Sequence, residues 1–147
     1  MTLKRGLQNV IASVLAGLFF FLGWWLIIDV VAVYGPYVFN PAFHVFGIMG
    51  TISFFMINSV SFGELRGDVY VRVCFGCFGL MGARIIFRVG LLLGVINIIA
   101  CCGILIANYI IPGVDNLYPG IALFLQNILI LLASLIFRFG RSEVIRI

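Results

Sequence analysis

The sequence predicts an all-α integral membrane protein with four transmembrane helices and with the N and C termini both in the cytosol. The first observation is composition: of 147 residues, 64% are hydrophobic and 10% are charged, whereas about a quarter of the residues in a soluble domain are charged. The second is the spacing of the charges. It leaves four uncharged runs, each long enough to cross about 30 Å of hydrocarbon as a helix: Gly6–Ile28, Val30–Gly63, Val89–Val114 and Asn116–Phe137.

The third observation is the placement of the nine Lys and Arg residues. Two precede the first run, four lie between the second and third, and three follow the fourth: Lys4, Arg5, Arg66, Arg72, Arg84, Arg88, Arg138, Arg141 and Arg146. Cytosolic loops carry an excess of Lys and Arg, so an even number of crossings places all nine in the cytosol. The net charge of +4 is spread over three short membrane-flanking segments, which favours contact with membrane lipids and argues against nucleic acid as a partner.

Residues 1–147 are predicted to form one transmembrane domain, with helices at about 9–33, 42–62, 85–111 and 119–137. Trp24 and Trp25 suit the membrane interface at the far end of the first helix. Pro41 suits an opening helical turn, where a missing N–H costs nothing, and Pro112-Gly113 is a stop signal for the third helix. Pro41 and Pro119 precede the second and fourth helices, which is compatible with two tandem hairpins.

Four amide side chains are predicted to lie inside the membrane: Asn58, Asn97, Gln126 and Asn127. An unsatisfied amide costs several kcal/mol in hydrocarbon, so Gln126 and Asn127 need partners on two neighbouring surfaces. Asn58, Ser59 and Asn97 are the candidates. Three interpretations remain open, namely hydrogen bonds between helices, a site for a substrate or lipid headgroup, and contact with a helix of another protein.

Asp29 and His44 are the ionisable residues predicted at the lumenal side. A carboxylate within a hydrophobic run is a candidate for ion coupling or partner pairing, but Asp29 lies one turn beyond the Trp pair, where it can also reach water. The single histidine could sense an acidic lumen or could be an ordinary wetted residue at the helix end.

The cytosolic connection contains Arg66 and Asp68, and Arg84 and Arg88 follow it at the start of the third helix. The two arginines are four residues apart and share a helix face, from which they can reach the headgroups. Cys74 and Cys77 form a C-x-x-C pair without further ligands on that side, so zinc is disfavoured. Free thiols or palmitoylation, with Cys74 the candidate, remain open.

No catalytic constellation is visible, and no cofactor or metal site is expected. There is no Ser/His/Asp set on one side of the membrane, no paired carboxylates and no glycine-rich phosphate loop. We therefore expect a protein that is not an enzyme.

Gly90-x-x-x-Gly94 matches the motif by which membrane helices approach closely, although the sequence does not say which helix it faces.

Several blocks taken together resemble the transmembrane-protein-50 family, which includes the fungal vacuolar protein sorting 68 proteins. They are residues 20–29 (FFLGWWLIID), 56–61 (MINSVS), 66–68 (RGD), 82–85 (GARI), 118–127 (YPGIALFLQN) and 137–143 (FRFGRSE). The similarity covers nearly the whole chain from about residue 9. The residues singled out above that fall on matching positions are Asp29, His44, Asn58, Arg66, Asp68, Arg84, Gln126 and Asn127, whereas Cys77 and the N-terminal tail depart from the pattern.

The resemblance implies a four-pass protein of the endosome, Golgi or endoplasmic reticulum, without known catalysis. It also implies a partner, another small four-pass protein resembling vacuolar protein sorting 55, and a role in traffic from endosome or Golgi to the vacuole or lysosome. We expect a non-enzymatic subunit of a membrane complex. The alternative is a small transporter, channel or lipid-handling protein, in which Asp29 and the buried amides would line a route.

Overall fold

The computed structural model describes residues 2–59, 79–113, 115 and 117–140, and in this part of the chain the regular structure is helical throughout. The four long helices are α1 (Thr2–Val38), α2 (His44–Asn58), α3 (Gly79–Ile104) and α4 (Tyr118–Gly140). Together with the short helical turns that extend α2 and α3, each is long and apolar enough to cross a membrane. The predicted fold class, an all-α protein with four membrane-crossing helices, is confirmed.

Helix α1 begins seven residues earlier than the predicted start at residue 9. Two features of the N-terminal segment account for this. Gly6 does not interrupt the helix, and the Gln8 side chain donates a hydrogen bond from Nε2 to the carbonyl oxygen of Gly140 at 3.2 Å, which ties the first turns to the end of α4. At the other end the helical backbone breaks at Gly35, where φ is +70°. A positive φ suits glycine because it has no Cβ.

A 3₁₀ turn, Pro41–Phe43, leads into α2. The side chain of Asn40 caps this turn by accepting a hydrogen bond from the backbone N–H of Ala42 at 3.0 Å. Pro41 occupies the opening position, as the sequence predicted, because a residue there has no intrahelical bond to lose. Helix α2 was predicted at 42–62. It is described from His44 to Asn58, and residues 60–62 lie outside the described part of the chain.

Helix α3 begins at Gly79, six residues before the predicted start, so residues 79–83 are helical although the sequence indicated a glycine-rich interfacial segment there. Its far end continues as a π-helical segment, Leu105–Ile110, in which the backbone N–H of Ile111 donates to the carbonyl of Ile106. Gly113, with φ of +67°, follows Pro112 and ends the element, as predicted.

The packing does not follow two tandem hairpins. Helix α4 contacts all three other helices, and α2 packs against both α3 and α4. Helix α1 lies along α4 and meets α2 at only a few points. Because α4 is central, its most apolar stretch is about twice as buried as that of any other helix, at 44% against 22%.

The two ends of the bundle differ in charge. Gln8 bonds to Gly140, and the ring of Phe87 lies against Arg138, so the basic residues of the described chain gather at one end: Lys4, Arg5, Arg84, Arg88 and Arg138. Asp29 and Tyr118 meet at the opposite end. Charge is thus segregated along the bundle axis among the described residues.

Candidate functional site

Polar side chains from three helices meet in the interior of the bundle. We call this set the polar core; it consists of Ser53 and Asn58 from α2, Asn97 from α3, and Gln126, Asn127 and Ser134 from α4. All but Asn58 are at least nine-tenths buried. The four amides predicted to lie in the membrane are therefore brought together, with two hydroxyls that the sequence analysis did not single out.

The centre of the polar core is the pair Asn97 and Asn127, which links α3 to α4. The Asn97 side chain donates from Nδ2 to Oδ1 of Asn127, and also to the backbone carbonyl of Phe46 on α2 at 2.8 Å. Asn127 in turn donates to the sulfur of Cys101 at 3.2 Å and to the carbonyl of Leu123 at 3.0 Å. One amide pair thus holds three helices in register.

A second set of bonds lies nearer the basic end. Asn58 donates from Nδ2 to the hydroxyl of Ser134 at 3.1 Å and to the carbonyl of Phe54 at 2.9 Å. Ser53 donates to the carbonyl of Gly90 at 2.6 Å. These bonds join α2 to α4 and α2 to α3, so most side chains of the polar core stabilise the bundle by hydrogen bonds between helices.

Gln126 is the exception among the four amides. It is 1% exposed, yet among the described residues neither Nε2 nor Oε1 has a hydrogen-bond partner. The sequence analysis expected both Gln126 and Asn127 to find partners on neighbouring helices, and the structure pairs Asn127 alone. Ser59, considered as a partner, is exposed and bonds within its own helix, to the carbonyl of Met56.

Glycines bring the helices close enough for these contacts. A Cβ atom at Gly47 would lie 2.7 Å from Nε2 of Gln126, and one at Gly50 would lie 2.9 Å from Oδ1 of Asn127. A Cβ at Gly94 would lie 2.7 Å from the hydroxyl of Ser53. The Gly90-x-x-x-Gly94 motif therefore faces α2, which answers the question that its sequence left open.

The space beside Ser53, Asn97 and Asn127 is filled. Among the residues between α2, α3 and α4, including Ser53, Asn97 and Asn127, there is no void large enough for one water molecule. A side-chain amide in a water-free, apolar setting interacts more strongly with its partner than it would in water. The space that these described residues line is therefore suited to rigid packing.

Helices α1 and α2 meet through a separate polar contact. The indole N–H of Trp24 donates to the hydroxyl of Thr51 at 3.2 Å, and that hydroxyl donates to the carbonyl of Gly47 at 2.9 Å. One turn along, the rings of Phe20 and Phe54 pack with their centroids 5.1 Å apart. Trp24 was predicted to lie at the membrane interface, and the structure shows that it also makes a helix-to-helix hydrogen bond.

Asp29 and His44 are not part of the polar core. Asp29 is half-buried and accepts a hydrogen bond from the hydroxyl of Tyr118 at 3.1 Å. Tyr118 is eight residues from Gln126, which is about 12 Å along a helix. His44 is half-buried at the start of α2, with its ring against Phe39 at 5.4 Å. The structure thus separates the acid from the buried amides that the transport hypothesis would group with it.

Arg84 and Arg88 lie exposed on α3 at the basic end, where they were predicted. Arg138 was predicted to lie in the flanking segment, but it is 6% exposed, and its guanidinium carbon lies 5.0 Å from the centre of the Phe87 ring. Such a cation–π contact is favourable where water is excluded. Arg66, Asp68, Cys74 and Cys77 lie outside the described residues.

Ser53, Ser134 and the Trp24–Thr51 pair are contacts that reasoning from the sequence missed. A usable signal existed, because a hydroxyl in an apolar span is itself a candidate for interhelical bonding. Among the described residues, no three His, Cys, Asp or Glu side chains lie close enough together to hold a metal ion.

A protein-family model described as an uncharacterised protein family, UPF0220, matches residues 2–144. The match spans all four helices and the connections between them. No solved structure matches the chain.

Proposed function

The chain belongs to the uncharacterised protein family UPF0220, and we propose that it is a non-enzymatic subunit of a membrane complex, which acts by binding other membrane proteins within the bilayer. The observation that carries this proposal is the closed polar core. Asn97 and Asn127 hold three helices together, and the space that they line has no room for a water molecule. Such an interior supports assembly better than passage of a solute.

The likeness of residues 20–29 and 118–127 to the transmembrane-protein-50 family supports a more specific role. In this proposal the protein resides in the endosome, Golgi or endoplasmic reticulum and contributes to protein traffic toward the vacuole or lysosome. Its partner is another small four-pass protein resembling vacuolar protein sorting 55. The gathering of the described cations at one end of the bundle supports a cytosolic location for that end.

The first test is purification of the tagged protein from its native membranes in a gentle detergent, with native mass measurement and peptide identification. We expect a complex of fixed stoichiometry that contains a second small multi-pass protein, because the helices present many exposed apolar side chains that a partner helix could cover. A homogeneous species that contains only this chain would contradict the proposal and favour the transport or lipid-handling alternative.

The alternative makes Asp29 the decisive residue. We expect Asp29→Asn to leave complex yield unchanged and to alter the unfolding free energy by less than about 1 kcal/mol, because the amide oxygen can still accept the Tyr118 hydroxyl. Thermal unfolding and native mass measure both quantities. Proton entry into proteoliposomes that contain a pH-sensitive dye tests for flux. A flux that wild type supports and Asp29→Asn abolishes, with assembly intact, would establish the alternative.

A further inference from the structure

We infer that the side-chain amide of Gln126 is the docking point for a transmembrane helix of the partner, which enters between α1 and α2 and presents a hydrogen-bonding side chain. The inference rests on the proposed function, since it specifies where the partner binds and by which chemistry. Its starting point is the amide of Gln126, the one buried side-chain amide of the described residues whose nitrogen and oxygen both lack a hydrogen-bond partner.

An amide without a partner is unfavourable in hydrocarbon, because no water replaces the missing hydrogen bonds. Gln126 is buried between α1 and α2, and its neighbour Asn127 makes three side-chain hydrogen bonds. A methionine would fill nearly the same space without a polar group. The amide therefore contributes nothing favourable to the isolated chain that an apolar side chain could not supply.

The surroundings of Gln126 identify the side from which a partner can approach. A Cβ atom at Gly23 of α1 would lie 3.0 Å from the backbone oxygen of Gln126, and one at Gly47 of α2 would lie 2.7 Å from its Nε2. Gln126 thus forms the floor of the seam between these two helices. They meet at only a few points, whereas α4 packs along the length of α1 and also against α2 and α3.

The hydrogen bond from Trp24 to Thr51 closes this seam beside Gln126. Trp24 directly follows Gly23, and Thr51 lies one turn after Gly47. A shift of α1 that opens the seam breaks this bond, the Phe20–Phe54 contact and part of the packing of α1 on α4, but leaves intact the Asn97–Asn127 pair and the bonds of Asn58. A helix can therefore reach Gln126 without disturbing the three-helix interior.

The chemistry of the partner follows from that of an amide, which both donates and accepts hydrogen bonds. An Asn, Gln, Ser or Thr side chain at the depth of Gln126 satisfies it and needs no charge in the membrane interior. In the complex the bonds of Gln126 replace the Trp24–Thr51 bond. The unsatisfied group of the isolated chain then becomes part of the interface.

The test is Gln126→Met, measured on the isolated chain and on the native complex. We expect opposite effects. The thermal unfolding midpoint of the isolated chain should stay the same or rise by about 2–4 °C, a shift that corresponds to a small gain in stability for a protein of this size. The fraction of chain recovered with its partner should fall several-fold. Asn127→Leu is the matched control, because it should lower both quantities.

A photocrosslinking side chain, benzoylphenylalanine, provides a second measurement that does not depend on the folding of Gln126→Met. At Ile48, which is exposed and lies three residues before Thr51, it should crosslink to the multi-pass partner. At Ile99, exposed on α3, it should not.

Three outcomes would overturn the inference. The first is a lower unfolding midpoint for the isolated Gln126→Met chain, which would make the amide a structural element. The second is an unchanged partner fraction, and the third is crosslinking at Ile99 in place of Ile48. In each case the wild-type complex, and with it the proposed function, would stand. If wild type itself carried no partner, the proposed function would fail first.

Discussion

Replacing Asn127 with leucine should lower the free energy of unfolding by about 2–3 kcal/mol. The variant loses the hydrogen bonds to Asn97, Cys101 and Leu123. Interhelical hydrogen bonds in membranes contribute roughly 1 kcal/mol each. The Asn97 amide would keep its bond to the Phe46 carbonyl. It would lose its bond to Asn127, which adds the cost of leaving it partly desolvated without that partner. Thermal unfolding in a mild detergent measures the loss, with an expected fall in the midpoint of about 4–10 °C.

Ser59→Ala is the control for this experiment. Its hydroxyl is exposed and donates to the carbonyl of Met56 three residues earlier, so its removal should change stability by less than about 0.5 kcal/mol. The double variant Asn97→Leu with Asn127→Leu should cost less than the sum of the two single changes, because no unpaired amide remains. Strict additivity would mean that the two amides do not depend on each other, contrary to the geometry.

The predictive part of the sequence was the pattern of charge and hydrophobicity. Four uncharged runs gave the four helices, because hydrocarbon admits a backbone only when its hydrogen bonds are closed within each segment. The glycine and proline signals at Pro41, Pro112 and Gly113 also matched the observed ends, since both residue types act locally. The early starts of α1 and α3 were missed, because a helix can extend beyond the apolar run that defines its span.

The sequence did not predict which helices pack against each other. Two tandem hairpins are the natural expectation from short connections, yet α1 lies along α4. The choice depends on the fit of small residues against larger ones, such as Gly140 against Ala12 and Gly23 against the backbone of Gln126. Spacing within one helix identifies the small residues but not the surface that meets them, so the partner of each motif had to come from the three-dimensional structure.

The sequence predicted which amide residues form the candidate site, but not which hydrogen bonds they make. Asn58, Asn97, Gln126 and Asn127 all lie in the interior, as expected of amides in apolar helices. The sequence predicted that Gln126 and Asn127 need partners on two neighbouring surfaces, but not which helices supply them. Adjacent helix positions point about 100° apart, so Asn127 faces α3 and Gln126 faces the seam between α1 and α2. That rotation separates a structural amide from one that is available for a partner.

Replacing Gly90 with leucine should destabilise the bundle by about 3 kcal/mol or more, the upper range for overpacking a tight contact. A Cβ atom there would lie 2.7 Å from Cβ of Met56 and 3.2 Å from the backbone nitrogen of Ile57. Neither atom is the end of a flexible side chain, so α3 must move away from α2. That movement also breaks the bond from the Ser53 hydroxyl to the Gly90 carbonyl. Thermal unfolding measures the loss.

Gly103→Leu on the same helix is the matched control for that change. A Cβ atom at Gly103 would meet nothing within 4 Å, and leucine favours a helix over glycine by roughly 1 kcal/mol, so this variant should be as stable as wild type or more stable. The contrast isolates the contact between α3 and α2, because both variants add the same side chain to one helix. Equal effects at the two positions would mean that α3 does not approach α2 through Gly90. The register that brings Asn97 to Asn127 would then need a different explanation.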